Sequence, residues 1–443
     1  MSCLRDRDWR TLPANAEDAM QVERIPDDLA QALVSSPTYA TDAIHEAYSW
    51  LRANNPLGVA AVEGFDPFWV VTKHADILEI SRNNARFPSA VRSTTLTSQS
   101  GEARARAITG TPHLVRSLVQ MDEPDHMKYR LLTQAWFMPA NVRKREEDIR
   151  TLAREAADGF AALPGRCEFV KDVAMHYPLR VVMNILGVPE EDFGRMLRLT
   201  QELFGASDPD TERFKAALSD EQFAALLVGV VQDFTDYFEK ITADRRANPR
   251  DDLATLLANA EIDGAPLPPF ERTGYYTIVA TAGHDTTSSS TAGAMWALAS
   301  QPGLFQRVKA DPSLIPALIE EAIRWTTPVK TFMRSAAEDT ELRGRAIKKD
   351  DWLMLCYASG NRDEDVFANA DTFDIDRTPN RQLAFGNGAH LCLGQHLARL
   401  EMRILFEELL PRIKSVCLDG EPRYSESFFV NGLKSLPIAF ELA

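Results

Sequence analysis

The sequence predicts a mainly α-helical protein with a small β portion. Three observations carry this. From Pro124 onward most of the 443 residues follow helical apolar spacing. The stretch between Pro268-Pro269 and Pro302 reads as one helix of roughly 30 residues, about 45 Å, a length that only a helix crossing the whole molecule needs. Finally, Phe385-Gly386-Asn387-Gly388-Ala389-His390-Leu391-Cys392-Leu393-Gly394 sets one cysteine among glycines, just ahead of a stripe formed by Leu393, Leu397, Leu400 and Ile404.

The elements follow in order. Residues 1 to about 40 are polar and proline-dotted, and predict an extended arm. Val59–Val62, a turn at 63–66 and Phe68–Thr72 predict a hairpin, with a short helix from His74. Residues 89–111 are rich in Ser, Thr, Arg and Gly and read as a long loop. Pro124 suits a first helical turn, with Asp122 and Glu123 before it. Helical patterns run over 149–163, 178–186, 191–204 and 220–246, and residues 206–212 interrupt them as a candidate lid. Residues 350–355 predict a strand, and 361–380 an irregular stretch. One domain over 1–443 is expected, with its β-rich portions around 59–72, 330–356 and 415–441.

A net charge of −15 argues against a nucleic-acid ligand. The five cysteines (Cys3, Cys167, Cys356, Cys392 and Cys417) are odd in number and lack a CxxC pair, so neither a disulfide framework nor a zinc site is expected. No apolar run follows Met1 and none of about 18 residues occurs elsewhere, which predicts no signal peptide, no membrane anchor and a cytoplasmic protein.

Four groups of residues suggest chemistry. Gly386, Gly388 and Gly394 permit a tight loop, and a helix N-terminus favours a thiolate at Cys392. A lone thiolate in an apolar shell suits the axial ligand of a haem iron. Thr281-Ala282-Gly283-His284-Asp285-Thr286-Thr287 is poor helix material. Its small surface would admit a flat cofactor, and Asp285 with Thr286 could relay protons; it also reads as a kink with back-bonded hydroxyls. Glu321 and Arg324 share a helix face and could join Arg377 in a buried charge network, or form an ordinary surface pair. His126, Arg130, Arg334 and His390 suit two propionates, or are capping and surface residues.

Taken in order, His-x-x-x-Arg, Ala-Gly-x-Asp-Thr-Thr, Glu-x-x-Arg and Phe-Gly-x-Gly-x-His-x-Cys-x-Gly resemble the cytochrome P450 family. Residues 281–290, 324–330 and 390–399 are similar to its bacterial α-terpineol monooxygenase group. The resemblance implies the triangular helical body of that family around a buried haem b (iron protoporphyrin IX). It implies Cys392 as proximal ligand, with Phe385 beside the sulfur, and His126, Arg130, Arg334 and His390 on the propionates. Asp285 and Thr286 would be the acid–alcohol pair, with Ala282 against the haem, and Glu321, Arg324 and Arg377 a structural network. Ile278, Thr281, Ala282, Val329, Thr331, Phe332, Phe429 and Val430 would line the substrate pocket.

The expected activity is hydroxylation of a small apolar substrate, a terpineol-like monoterpenoid or an aromatic hydrocarbon, by a monomer using O2. A gas sensor or carrier is the alternative. Electrons would come from a 2Fe–2S ferredoxin, docked on a basic patch for which Lys128, Arg143 and Arg145 are candidates. Thr281 or the Thr326-Thr327 pair would supply one substrate hydrogen bond. Gln382 departs from the histidine of many bacterial relatives.

Overall fold

A computed structural model describes residues 24–211 and 220–443. Its helices are α1 (Asp27–Val34), α2 (Ala43–Asn54), α3 (His74–Arg82), α4 (Gln99–Thr109), α5 (Asp125–Phe137), α6 (Pro139–Lys144), α7 (Glu146–Ala161) and α8 (His176–Leu186). They continue with α9 (Phe193–Phe204), α10 (Asp220–Ala247), α11 (Leu253–Asn259), α12 (Pro269–Ser300), α13 (Leu304–Ala310), α14 (Ile315–Thr326), α15 (Tyr357–Gly360) and α16 (Gln395–Leu409).

The main sheet joins β1 (Leu57–Ala60), β2 (Phe68–Val71), β3 (Trp352–Cys356) and β4 (Thr331–Ser335) in that spatial order. The expected hairpin is present, with Val59 opposite Trp69. The 350–355 strand is present too, running parallel to β2 and antiparallel to β4. Near the C-terminus, Ile413–Leu418 pairs with Pro437–Leu442, which also pairs with Arg166–Glu168.

Helix α12 has 32 residues, begins at the expected proline and ends before Pro302. Its length follows from its packing. Tyr275, Tyr276 and Ala280 sit in a core formed with α5, α8, α9 and α16. Ala292, Met295 and Leu298 sit in a second core formed with α7, α14 and the C-terminal strands. The hydroxyls of Thr281, Thr286, Ser290 and Ser300 donate to the carbonyls four residues back, at 2.7–3.0 Å. The helix therefore runs unbroken, with these four hydroxyls satisfied by its own carbonyls. Gly283 faces α8: a Cβ there would approach Val182 Cγ2 to 2.8 Å. Its small size serves helix–helix packing, whereas the sequence suggested approach of a cofactor.

Two expectations are corrected. The part of the N-terminal arm that is described, 24–40, holds α1 and a short 3-10 turn (Ser36–Ala40), because Leu29, Ala30 and Leu33 reach a buried cluster; residues 1–23 lie outside the described residues. The 89–111 loop contains α4. Ser98 caps it by accepting from the Gly101 N–H, and Glu102 pairs with Arg106 one turn on and with Arg92 across the loop. The break expected at 206–212 is non-helical through 211, and residue 212 lies outside the described residues.

Candidate active site

The cysteine loop is held by positive-φ glycines. Gly386 and Gly388 have φ of 69° and 72°, and a Cβ on Gly388 would meet the Ser81 carbonyl oxygen at 2.1 Å. The Cys392 N–H donates to the Phe385 carbonyl at 2.8 Å, which closes the loop. Ala384 N–H donates to Gln382 Oε1 at 2.6 Å, so Gln382 braces the loop entrance. Phe385 is covered by the Arg399 guanidinium, 4.3 Å from its ring centre.

The thiol differs from the expectation. Burial pushes the Cys392 pKa above its ordinary value, outweighing the N–H groups of Gly394 and Gln395 and the charges of Arg130 and Arg399. The dipole at the start of α16 does not make a thiolate alone. A bound metal cation deprotonates a coordinating thiol outright, so iron held at this sulfur would offset the effect of burial.

The four basic residues gather beside the loop. Helix α5 places His126 and Arg130 on one face. The His126 and His390 rings lie 4.4 Å apart, and Arg130 Nη2 donates to the Leu391 carbonyl at 2.8 Å. Arg334, from β4, donates to the Met333 carbonyl and acts electrostatically on His390. Both ring nitrogens of His126 are buried without a hydrogen-bond partner. Its pKa is lowered to about 4, by burial first and then by the charges of His390 and Arg130. His390 Nε2 has Ser89 Oγ at 3.3 Å and Asp122 Oδ1 at 3.9 Å. Asp122 also accepts from the N–H groups of Ser89 and Ala90. The site sets Asp122, and Glu123 Oε1 at 3.8 Å from His126 Nδ1, against Arg130, Arg334 and two imidazoles, and among the described residues neither arginine has a carboxylate partner. Two propionates fit it, with the half-buried Cys392 sulfur nearby to ligate iron.

On α12, the Asp285 carboxyl is pushed above its ordinary range by burial, partly opposed by His284. Its Oδ2 has no hydrogen-bond partner, while Oδ1 lies 3.4 Å from His284 Nδ1. The Thr286 hydroxyl donates to the Ala282 carbonyl at 2.7 Å. An acid with an unused oxygen and an alcohol one residue on are thus half-buried on the same helix.

Glu321 and Arg324 are fully buried and bonded twice, at 2.8 and 2.6 Å. Arg377 Nε lies 3.3 Å from both Glu321 oxygens. Arg324 also donates to the carbonyls of Asn361, Ala370 and Thr372. Sequence reasoning missed Asn380, whose Nδ2 donates to Glu321 at 3.1 Å; a lone asparagine in an irregular stretch carries no signal.

Of the residues expected to face substrate, Val329, Thr331, Phe332, Phe429 and Val430 meet where the segment 329–332 runs beside 428–430. Val329 pairs through its backbone with Val430. The Phe332 and Phe429 rings are 5.3 Å apart, edge to face. Phe204, at the end of α9, adds a third ring 5.8 Å from Phe429; it was missed because a terminal aromatic on an amphipathic helix reads as core. Ile278 is half-buried one turn before Ala282. Thr281 and Thr331 are buried, with hydroxyls donating to the carbonyls of Thr277 and Phe428. Thr327 belongs elsewhere: its hydroxyl donates to Arg324 O and accepts from Asn361. Thr326 packs against α12, its hydroxyl 2.2 Å from where a Gly293 Cβ would stand.

Two of the proposed docking cations are paired. Lys128 bonds Asp263, and Arg145 lies 3.5 Å from Asp251 and over Trp136. Arg143 is exposed. Among the described residues, no helix is long and apolar enough to cross a membrane.

The family model described as Cytochrome P450 matches residues 112–437. Cytochrome P450-terp of a Pseudomonas species is 49% identical over 95% of this chain and 99% of its own length. Linalool 8-monooxygenase of Pseudomonas putida is 33% identical over 90% of this chain and 96% of its own. The crystal structure of CYP108D1 from Novosphingobium aromaticivorans superposes with a TM-score of 0.88 at 46% identity, covering 95% of this chain and all of that one. With the sulfur, the basic cluster and the fold in agreement, the chain belongs to the cytochrome P450 family, the haem b monooxygenases.

Proposed function

We propose that this monooxygenase hydroxylates a small cyclic monoterpenoid alcohol, with electrons delivered by a 2Fe–2S ferredoxin in the cytoplasm. The observation that carries the substrate class is the Phe204–Phe429–Phe332 wall beside Val329 and Val430, where the neighbouring threonine hydroxyls already donate to carbonyls. Such a wall binds by apolar contact and leaves room for few polar groups on the ligand. Two relatives whose names refer to terpenoids support the same class.

Haem, when bound with Cys392 as its sulfur ligand, would supply oxygen activation. His126, Arg130, Arg334 and His390 hold its propionates, and Phe385, Gly386 and Gly394 shape the loop around the sulfur. Ala282 keeps the helix surface beside the haem small. The Asp285 carboxyl takes up a proton, and the Thr286 hydroxyl passes it on. Ile278, Thr281, Val329, Thr331, Phe332, Phe429 and Val430 orient the substrate. Glu321, Arg324 and Arg377 hold the segment 361–380 that underlies the loop.

The test is a binding screen on the purified holoenzyme, followed by product analysis with a ferredoxin and its reductase. Terpineol-like alcohols should shift the haem absorbance at micromolar concentrations and yield one hydroxylated product. A response to aromatic hydrocarbons alone would overturn the substrate class. Oxygen binding without substrate-dependent oxygen consumption would favour a carrier.

A further inference from the structure

His284 stands directly before the proposed acid, is completely buried, and has both ring nitrogens engaged. Nε2 lies 2.8 Å from the Met175 carbonyl. A carbonyl only accepts, so Nε2 carries a hydrogen. Nδ1 lies 3.0 Å from Thr200 Oγ1, on α9, and 3.4 Å from Asp285 Oδ1. Thr200 has one hydroxyl hydrogen and two candidate acceptors at equal distance, His284 Nδ1 and the Leu197 carbonyl, each at 3.0 Å. If that hydrogen points to Leu197, Nδ1 is free to donate to Thr200 Oγ1 or Asp285 Oδ1, and a ring that donates from both nitrogens is a cation beside Asp285. If it points to Nδ1, the ring is neutral and its lone pair faces Thr200 instead.

The arrangement therefore has two hydrogen-bonded states that differ in how well they hold a carboxylate at Asp285. The switch between them sits on α9, whose last residue, Phe204, contributes to the aromatic wall. We infer that His284 is a positioning residue: clamped between Met175 and Thr200, it fixes the Asp285 carboxyl and couples the proton supply to the placement of α9. A substrate seated against Phe204 would be sensed by the acid through Thr200 and His284. His176, at the start of α8, is close enough to His284 to interact with it electrostatically, and Asp172 and Arg180 act on His176 in turn.

This rests on the role proposed for Asp285, and the experiment separates the two. Four holoenzymes are compared: Asp285→Asn, His284→Gln, Thr200→Val, and His284→Gln combined with Asp285→Asn. Haem content and the carbonyl band check integrity. A cation within hydrogen-bonding range lowers a carboxyl by roughly 1–3 pH units. His284→Gln should therefore move the acidic limb of the product-formation pH profile upward by about one unit. Infrared difference spectra against Asp285→Asn should show a larger carboxylic-acid fraction at Asp285 in His284→Gln than in the wild type at the same pH. Thr200→Val should perturb the substrate dependence of coupling, and His284→Gln should add nothing in the Asp285→Asn background. If Asp285→Asn abolishes coupled turnover while the pH profile and carboxyl band of His284→Gln and Thr200→Val match the wild type, the inference is overturned. If Asp285→Asn itself retains coupled turnover, the role of the acid fails first.

Discussion

Arg130 donates to the Leu391 carbonyl, one residue before Cys392, at 2.8 Å, and among the described residues its guanidinium has no carboxylate partner. Burial lowers its pKa, and the charges of Cys392 and Tyr275 act the other way. A half-buried cation oriented by one carbonyl is poised for an anion from outside the chain.

Arg130→Leu should therefore weaken haem retention without unfolding the protein. A charge-assisted hydrogen bond contributes about 1.5–3 kcal/mol, so haem transfer to an acceptor protein should accelerate roughly tenfold or more. A transfer rate equal to wild type would remove Arg130 from the propionate set.

Thr286 has its hydroxyl turned to the Ala282 carbonyl, with the unpartnered Asp285 oxygen one residue away. Thr286→Ala should leave haem content and substrate binding intact. Product per electron should fall several-fold, with the missing equivalents recovered as hydrogen peroxide. Unchanged coupling, measured as product formed per nicotinamide consumed, would show that the hydroxyl is only a helix back-bond.

What the sequence made legible was what depends on local pattern. Prolines bracket α12, helical spacing gives its neighbours, and glycines around Cys392 announce a tight loop, whose backbone takes positive φ at Gly386 and Gly388. What stayed hidden depends on distance in the chain. Helix α4 has little apolar periodicity, and its Glu102 is neutralised partly by Arg92, outside the helix. Asn380 gains meaning only beside Glu321, 59 residues earlier. The Cys392 thiol shows two opposed effects: the helix terminus favours a thiolate, while desolvation opposes it and is invisible without the fold.

Lys330 offers a pH test. It is buried beside Val329, and its Nζ donates to the Thr326 carbonyl at 2.7 Å, capping the C-terminal end of α14. Burial, assisted by the Arg362 charge, lowers its pKa from 10.5 to about 7; His45, which also senses Lys330, is the other titratable neighbour. Between pH 7 and 10.5 the unfolded chain holds the proton and the folded chain does not, so stability rises with pH across that window. Below pH 7 the folded state carries the full penalty of a buried ammonium, on the order of a few kcal/mol. Lys330→Met should flatten the rise in thermal midpoint between pH 7 and 10 and gain most at pH 6. Parallel pH curves for variant and wild type would refute the burial argument.

Two ion pairs of similar length should differ greatly in what they contribute. Arg154 and Glu147 lie 3.1 Å apart with side chains 47% and 76% exposed; solvent screening limits such a pair to about 1 kcal/mol or less. Glu321 and Arg324 are 0% exposed. Removing one partner there strands a buried charge, which costs about 3–5 kcal/mol. It also frees Arg377 and Asn380, and with them the 361–380 segment beneath the cysteine loop. Glu321→Ala should yield little soluble holoenzyme, while Glu321→Gln, which keeps the shape and part of the hydrogen bonding, should recover some haem incorporation at a lowered thermal midpoint. Glu147→Ala should leave both quantities near wild type. If Glu321→Ala incorporated haem normally and melted with the wild type, the network would be dispensable, and the loop would have to be held by the Gly388–Ser81 contact and the Arg399–Phe385 stack instead.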